Sequence, residues 1–329
     1  MTISKRSFMC TAAAATAAAF TALAGPALAQ TYPERSINVV VPFAAGGSTD
    51  LVARIVAQKL TEQMGQSVVV ENRVGAGGNV GAAAVAKAPP DGYTVLFATI
   101  STHTLNPLMA KKSAYDPVKD FAPVGLIGSI PNVLVVHPSV PAKNVQELIA
   151  LAKKEPQKYS YASSGVATPL HLSGEMFNRM AGTTMAHVPY RGAGPAMNDL
   201  VGGQIPVMFD NLPSSVEFIK AGKIRALAVT TKQRAKQMPD IPTMEEQGLK
   251  GYETYSWQAL FFPANTPRPI IDRMSAELKK ALADPTLQKR LEDLTMTVTF
   301  STPEELAAHV REQLATWEPI TKATGVQID

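Results

Sequence analysis

Along most of the chain, short apolar runs alternate with turns rich in Gly, Ser or Pro and then with stretches of helical spacing. The first copy is the clearest. Ile37 to Val41 is continuous and β-branched, as a strand of a buried parallel sheet requires. Pro42-Phe43-Ala44-Ala45-Gly46-Gly47 breaks it, and Ser48, Thr49 and Asp50 are residue types that cap helix N-termini. Leu51, Val52, Ile55, Val56 and Leu60 then recur at helical spacing until Gly65. The same grammar predicts strands at Val68–Val70, Tyr93–Ala98, Val133–Val136, Tyr159–Ala162, His187–Val188, Ile205–Phe209, Ile224–Thr230 and Trp257–Phe262. It predicts helices at Ala82–Ala88, Val145–Lys154 and Pro169–Met180, one ending at Val201, and three more at Pro269–Leu282, Pro285–Leu294 and Glu304–Thr321.

Such alternation implies an α/β protein of parallel sheets with right-handed crossovers. About ten strands suit two lobes better than one sheet. The C-terminal helices accompany a single late strand, so they complete a lobe begun earlier. The expected division is a discontinuous first lobe, 32–131 plus 255–329, with 132–254 as the second. The two crossings, near Ile130-Pro131 and Tyr252–Ser256, would then form a hinge.

The first 29 residues depart from this grammar. Lys5 and Arg6 precede the apolar run Ala12–Leu23, and Ala27-Leu28-Ala29 supplies the small residues read by a signal peptidase. We expect export to the periplasm with cleavage after Ala29. Ser4 to Met9 also loosely resembles a twin-arginine signal with Lys5 in the first arginine's place, so the export route stays open. Cleavage leaves 300 of the 329 residues and removes two of the 31 basic residues with none of the 27 acids, lowering the net charge from +4 to +2. It also removes Cys10, the only cysteine, and with it disulfides, thiolate metal sites and a cysteine nucleophile. So small a charge, with no long Lys/Arg block, argues against nucleic-acid binding.

In open α/β sheets ligands bind where strands end and helices begin. The turns at those places carry Ala45-Gly46-Gly47-Ser48, Ser101-Thr102-His103, Ser163-Ser164 with Thr168, and Tyr190-Arg191-Gly192. Small residues there free backbone N–H groups, hydroxyls donate or accept, and the helix dipole favours an anion. Two helix termini and four charge-assisted hydrogen bonds supply on the order of 7–16 kcal/mol gross. That is enough for micromolar binding of a carboxylate once desolvation and ordering are subtracted. The same residues also fit plain caps and turns. Asp210, ending a buried strand, reads as a cap or a holder of water.

Other chemistry is poorly served. The glycines at 75, 77 and 81 miss the dinucleotide spacing by one, and no acid follows the next strand, so no cofactor is expected. The five histidines form no metal-ligand pair at helical spacing. Ser163-Ser164-Gly165 lacks the first glycine of a nucleophile elbow, leaving His171 and Asp210 as weak triad partners in an exported hydrolase or transferase.

Several of these segments, in order, resemble one family. They are Tyr32-Pro33, Ile37 to Asp50, Val70-Glu71-Asn72-Arg73-Val74-Gly75-Ala76-Gly77-Gly78, and Pro90-Asp91-Gly92-Tyr93-Thr94. Tyr161 to Gly165, His171-Leu172-Ser173-Gly174-Glu175, Pro189-Tyr190-Arg191-Gly192 and Asp240-Ile241-Pro242-Thr243 continue the match. Together they resemble the solute-binding receptors of tripartite tricarboxylate transporters, the Bug-type receptors. The resemblance implies a two-lobed, type II-like periplasmic binding protein, monomeric and non-catalytic, closing on a small organic carboxylate. It would deliver that ligand to the membrane permease subunits. It implies that the turns at 45–48, 163–164 and 190–192 grip a carboxylate with ordered waters, and that Ser101, Thr102 and His103 help set specificity. A chemosensory receptor remains a further reading.

Overall fold

A computed structural model describes residues 32–324 and Gln327. The expected signal segment and its cleavage after Ala29 lie outside the described residues. The chain divides after Glu34 into two compact units, and every element below belongs to the second, Arg35–Asp329.

The strands are β1 Ile37–Val41, β2 Val68–Asn72, β3 Thr94–Thr99, β4 Phe121–Val136, β5 Ser160–Ser163, β6 Ala186–Pro189, β7 Val207–Asn211, β8 Arg225–Val229, β9 Tyr255–Pro263 and β10 Thr297–Val298. The helices are α1 Ser48–Met64, α2 Asn79–Ala86, α3 Asn106–Met109, α4 Val145–Lys154, α5 Pro169–Ala181, α6 Ala193–Val201, α7 Leu212–Lys220, α8 Arg268–Leu282, α9 Pro285–Asp293 and α10 Pro303–Thr324. A π-helical turn, Ser101–Leu105, runs into α3. Boundaries fall within a few residues of the pattern-based ones for most elements. The pattern missed α7, the turn at Ser101 with α3, β10 and most of β4.

β4 organises the sheet. Its first part, Phe121–Pro131, pairs with β9, and its second part, Asn132–Val136, pairs with β7 and β8. One 16-residue strand thus belongs to two half-sheets. The first half-sheet holds β2, β1, β3, β9 and the start of β4, and the second holds the end of β4 with β7, β5 and β6. Pro123, Gly125 and Gly128 hide the first part of β4 from a hydrophobicity pattern. Register shifts at Pro123/Gly125 and Leu126/Gly128 show how the strand absorbs them, as bulges.

The expectation of parallel sheets needs correcting, because the sheet is mixed. β1 is parallel to β2 and β3, and β5 to β6 and β7. β9 is antiparallel to β3 and β4, and β4 to β7 and β8. Helical crossovers set the direction of the parallel strands. β4 and β9 instead carry the chain between half-sheets, and Ile130 faces Ser256 and Pro131 faces Tyr255 where they do so.

Burial follows the half-sheets. Leu96, Ile100, Phe121, Trp257, Phe261, Leu306 and Val310 form one apolar cluster on the first. The second is covered on one face by a cluster containing Leu134, Leu148, Tyr161, Phe177 and Phe209, and on the other by Val133, Met197, Leu200, Met208 and Leu212. These cores fix the strand ends, and the strand ends position the site.

Candidate ligand-binding crevice

Four helices and one helical turn begin at the carboxyl ends of parallel strands, and the starts of all five meet at one crevice. Ser48 opens α1, Ser101 the π-helical turn, Pro169 α5 and Ala193 α6, while Asn211 caps α7; each lines the same crevice. Phe43, Gly47, Thr49, Thr99, Ser164, Ser256 and Gln258 complete it, around a cavity of only about 20 Å³ with the rims in contact. No acidic, basic or imidazole side chain lines it. The potential inside comes from aligned backbone dipoles, whose N-terminal ends favour negative charge.

The glycines let the two rims touch. A Cβ on Gly194 would sit 2.4 Å from Ala45 O, and one on Gly192 2.7 Å from Ala44 N. On the other rim, a Cβ on Gly77 would sit 2.2 Å from Val166 O. Ala44 N also donates to Arg191 O at 3.3 Å. The first half-sheet's turns at 44–47 and 75–78 therefore close against the second's at 165–166 and 191–194.

Polar side chains lace the rims to the crossing strands. Ser48 Oγ donates to Asn211 Oδ1 at 2.9 Å, and Asn211 Nδ2 donates to Ser256 Oγ and to Asn132 Oδ1. Asn132 Nδ2 continues to Thr254 Oγ1 at 3.2 Å. The network runs from the crevice to the two crossings, through buried residues throughout.

Of the residues singled out in the sequence, Gly47, Ser48, Ser101 and Ser164 line the crevice. Tyr190 and Arg191 line an adjoining cleft with Ser164 and Gly165. Ala45 and Gly46 are exposed at the rim, and Gly46 N donates to Asp50 Oδ2, so that N–H is committed to a cap. Burial alone would raise the Asp50 carboxyl, but bonds from Arg54, Asn72 and Gly46 hold it below the usual range. Gly192 meets Ala44 at the rim. Thr168 is the α5 cap, accepting from His171 N and donating to Gly165 O.

Thr102, His103, Ser163 and Asp210 are not among the lining residues. Thr102 Oγ1 donates to Thr99 O and accepts from Thr99 N, closing its own turn. His103 is fully buried, stacked 4.0 Å from Phe261 and tilted against Phe121. Burial drives its pKa down to about 3. Its neutral form therefore stabilises the fold fully above about pH 6.5, and that stability is lost as the pH falls from there toward 3. His103→Phe should accordingly remove up to about 1.4 kcal/mol per pH unit of acid sensitivity in this window. Denaturation at pH 8 and pH 5 checks this, and carboxylate affinity should not change.

Asp210 is buried at the end of β7 and accepts from the Ser214 and Ser215 hydroxyls in the first turn of α7, whose N-cap position is held by Asn211. Burial pushes its carboxyl up to about 6. Ser163 turns inward, donates to Gly165 O and contacts His187 Nε2 at 2.6 Å. His171 instead accepts from Ala167 N, and its other nitrogen lies 3.8 Å from Glu175. The grouping of Ser163 with His171 and Asp210 is therefore not assembled.

Thr99, Asn211, Ser256 and Gln258 went unnoticed in the sequence. Their signal was polar residues inside otherwise apolar strands, Ser256 and Gln258 alternating with Tyr255, Trp257 and Ala259. No group of three metal-ligating side chains and no helix long and apolar enough to cross a membrane occurs among the described residues.

Known proteins share this sequence pattern and fold. Residues 52–326 match the sequence profile of the TctC family, the tripartite tricarboxylate transporter family receptor. The chain is 34% identical over 307 residues to Protein BugT of Bordetella pertussis, spanning 93% of this chain and 94% of that one. Two solved Rhodopseudomonas palustris proteins superpose closely. Rpa4515 with adipate is 38% identical, with a TM-score of 0.87 over 90% of this chain and 99% of the other. MatC with bound malate is 34% identical, with a TM-score of 0.84 over 88% and 100%. The fold is that of the two-lobed periplasmic binding proteins, and the chain belongs to the family of tripartite tricarboxylate transporter receptors.

Proposed function

We propose that this protein is a non-catalytic periplasmic receptor that closes on a small organic carboxylate and hands it to the permease subunits of a tripartite tricarboxylate-type transporter. The observation that carries the reading is the convergence of five helix or helical-turn starts on one crevice without a charged side chain. An anion there is held by backbone N–H groups and hydroxyls, in keeping with relatives solved with adipate and malate. The lobes are residues 32–131 plus 255–329, and 132–254, hinged where β4 and β9 cross. Ligand bound to both lobes stabilises the closed state by its differential affinity. Export with cleavage after Ala29 places the monomeric receptor, at net charge +2, beside its permease.

The test is a thermal-shift screen of the mature protein against mono-, di- and tricarboxylates, with each mixture followed by NMR. At least one acid should raise the melting temperature in proportion to the logarithm of its concentration, unchanged in structure after incubation. Absence of any shift, or appearance of product, would overturn the reading.

A further inference from the structure

One wall of the crevice carries hydrogen-bonding capacity that the protein does not use. β3 and β9 run antiparallel with Thr99 directly opposite Gln258, and both residues are part of the crevice lining. Thr99 is 5% exposed and Gln258 1%. Among the described residues, Thr99 Oγ1 and both Gln258 side-chain atoms, Nε2 and Oε1, have no hydrogen-bond partner. Two polar neighbours are engaged elsewhere, Thr102 Oγ1 with the Thr99 backbone and Ser256 Oγ with Asn132 and Asn211. A buried primary amide with neither end satisfied is costly, and natural cores rarely keep one without a use.

The chemistry of the free atoms narrows what can satisfy them. An amide presents a donor and an acceptor side by side, and a threonine hydroxyl does both. A carboxylate only accepts, so it would pair with Nε2 and leave Oε1 facing its own negative oxygens. An ammonium only donates, so it would pair with Oε1 and meet the N–H groups of Nε2 unfavourably. An alcohol hydroxyl has one O–H and two lone pairs, so it donates to Oε1 and accepts from both Nε2 and the Thr99 hydroxyl without burying another charge.

Building on the carboxylate reading above, we propose that Thr99 and Gln258 form a hydroxyl-reading subsite, so that the receptor prefers hydroxy acids to matched acids lacking the hydroxyl. The experiment is calorimetric titration of the mature protein with lactate and propionate, malate and succinate, citrate and tricarballylate, and 4-hydroxybenzoate and benzoate. In the pair that binds, the hydroxy acid should be tighter on the order of 10- to 100-fold. Gln258→Leu and Thr99→Val should each shrink that ratio, mainly by weakening the hydroxy acid. Melting without any acid reports folding, and if Gln258→Leu does not fold, the nearly isosteric Thr99→Val carries the comparison. Equal binding within every pair, or equal weakening of both members by the variants, overturns the subsite while leaving the receptor reading intact. Failure of all eight acids to bind overturns the hydroxyl subsite, and the thermal-shift screen decides the carboxylate reading separately.

Discussion

Gly194→Ala should weaken carboxylate binding at least about 100-fold without destabilising the unliganded protein. The added Cβ would lie 2.4 Å from Ala45 O, a contact between two backbones that neither side can relieve by rotating a side chain. The rims must part by about an ångström, and hydrogen bonds that a ligand makes to one lobe are lost. Two bonds to a charged group, at roughly 1.5 kcal/mol or more each, account for the factor. Because Gly194 lies in the first turn of α6, where alanine is a better helix former than glycine, the melting temperature without ligand should hold. Titration calorimetry and melting of the same preparation separate the two effects. Unchanged affinity would mean that rim contact is not part of the bound state.

Ser48→Pro should cost roughly 10- to 100-fold in affinity, and more than Ser48→Ala. Ser48 is the first residue of α1, where proline is tolerated because its missing N–H has no intrahelical partner. Gly47 before it is extended, at φ −81° and ψ 165°, as a residue preceding proline must be. Both variants lose the hydroxyl that donates to Asn211, but only the proline loses the N–H at the head of the helix. The difference between them therefore measures the backbone's share in holding the anion. Equal losses would assign that share to the hydroxyl alone.

The first βα unit was legible because each feature has one local cause. A β-branched run, a Gly46-Gly47 break and the cap types Ser48 to Asp50 need nothing from the rest of the chain. β4 was illegible for the opposite reason. Its glycines and prolines are tolerated only because β9 and β10 pair with it, which is tertiary information. Within the site, Ser164 and Ser163 show the limit of a turn motif. One residue of register separates a side chain lining the crevice from one buried against His187. His103 shows the same in the π-helical turn, where Ser101 faces the crevice and His103 is carried into the aromatic core. Thr99 and Gln258 became visible only when pairing set them side by side. The turns that frame the ligand could be read from residue type, whereas the wall opposite depends on strand register.

Closure on a ligand can be measured as a distance. Cys10 is the one cysteine of the sequence, so in protein lacking the first 29 residues spin labels can be placed by Glu62→Cys on α1 and Lys154→Cys on α4, both exposed positions against different half-sheets. Double electron–electron resonance should give a broad separation without ligand. Saturation with the acid giving the largest thermal shift should produce a shorter, narrower one. An unchanged distribution at saturation would show that the carboxylate binds without bringing the half-sheets together.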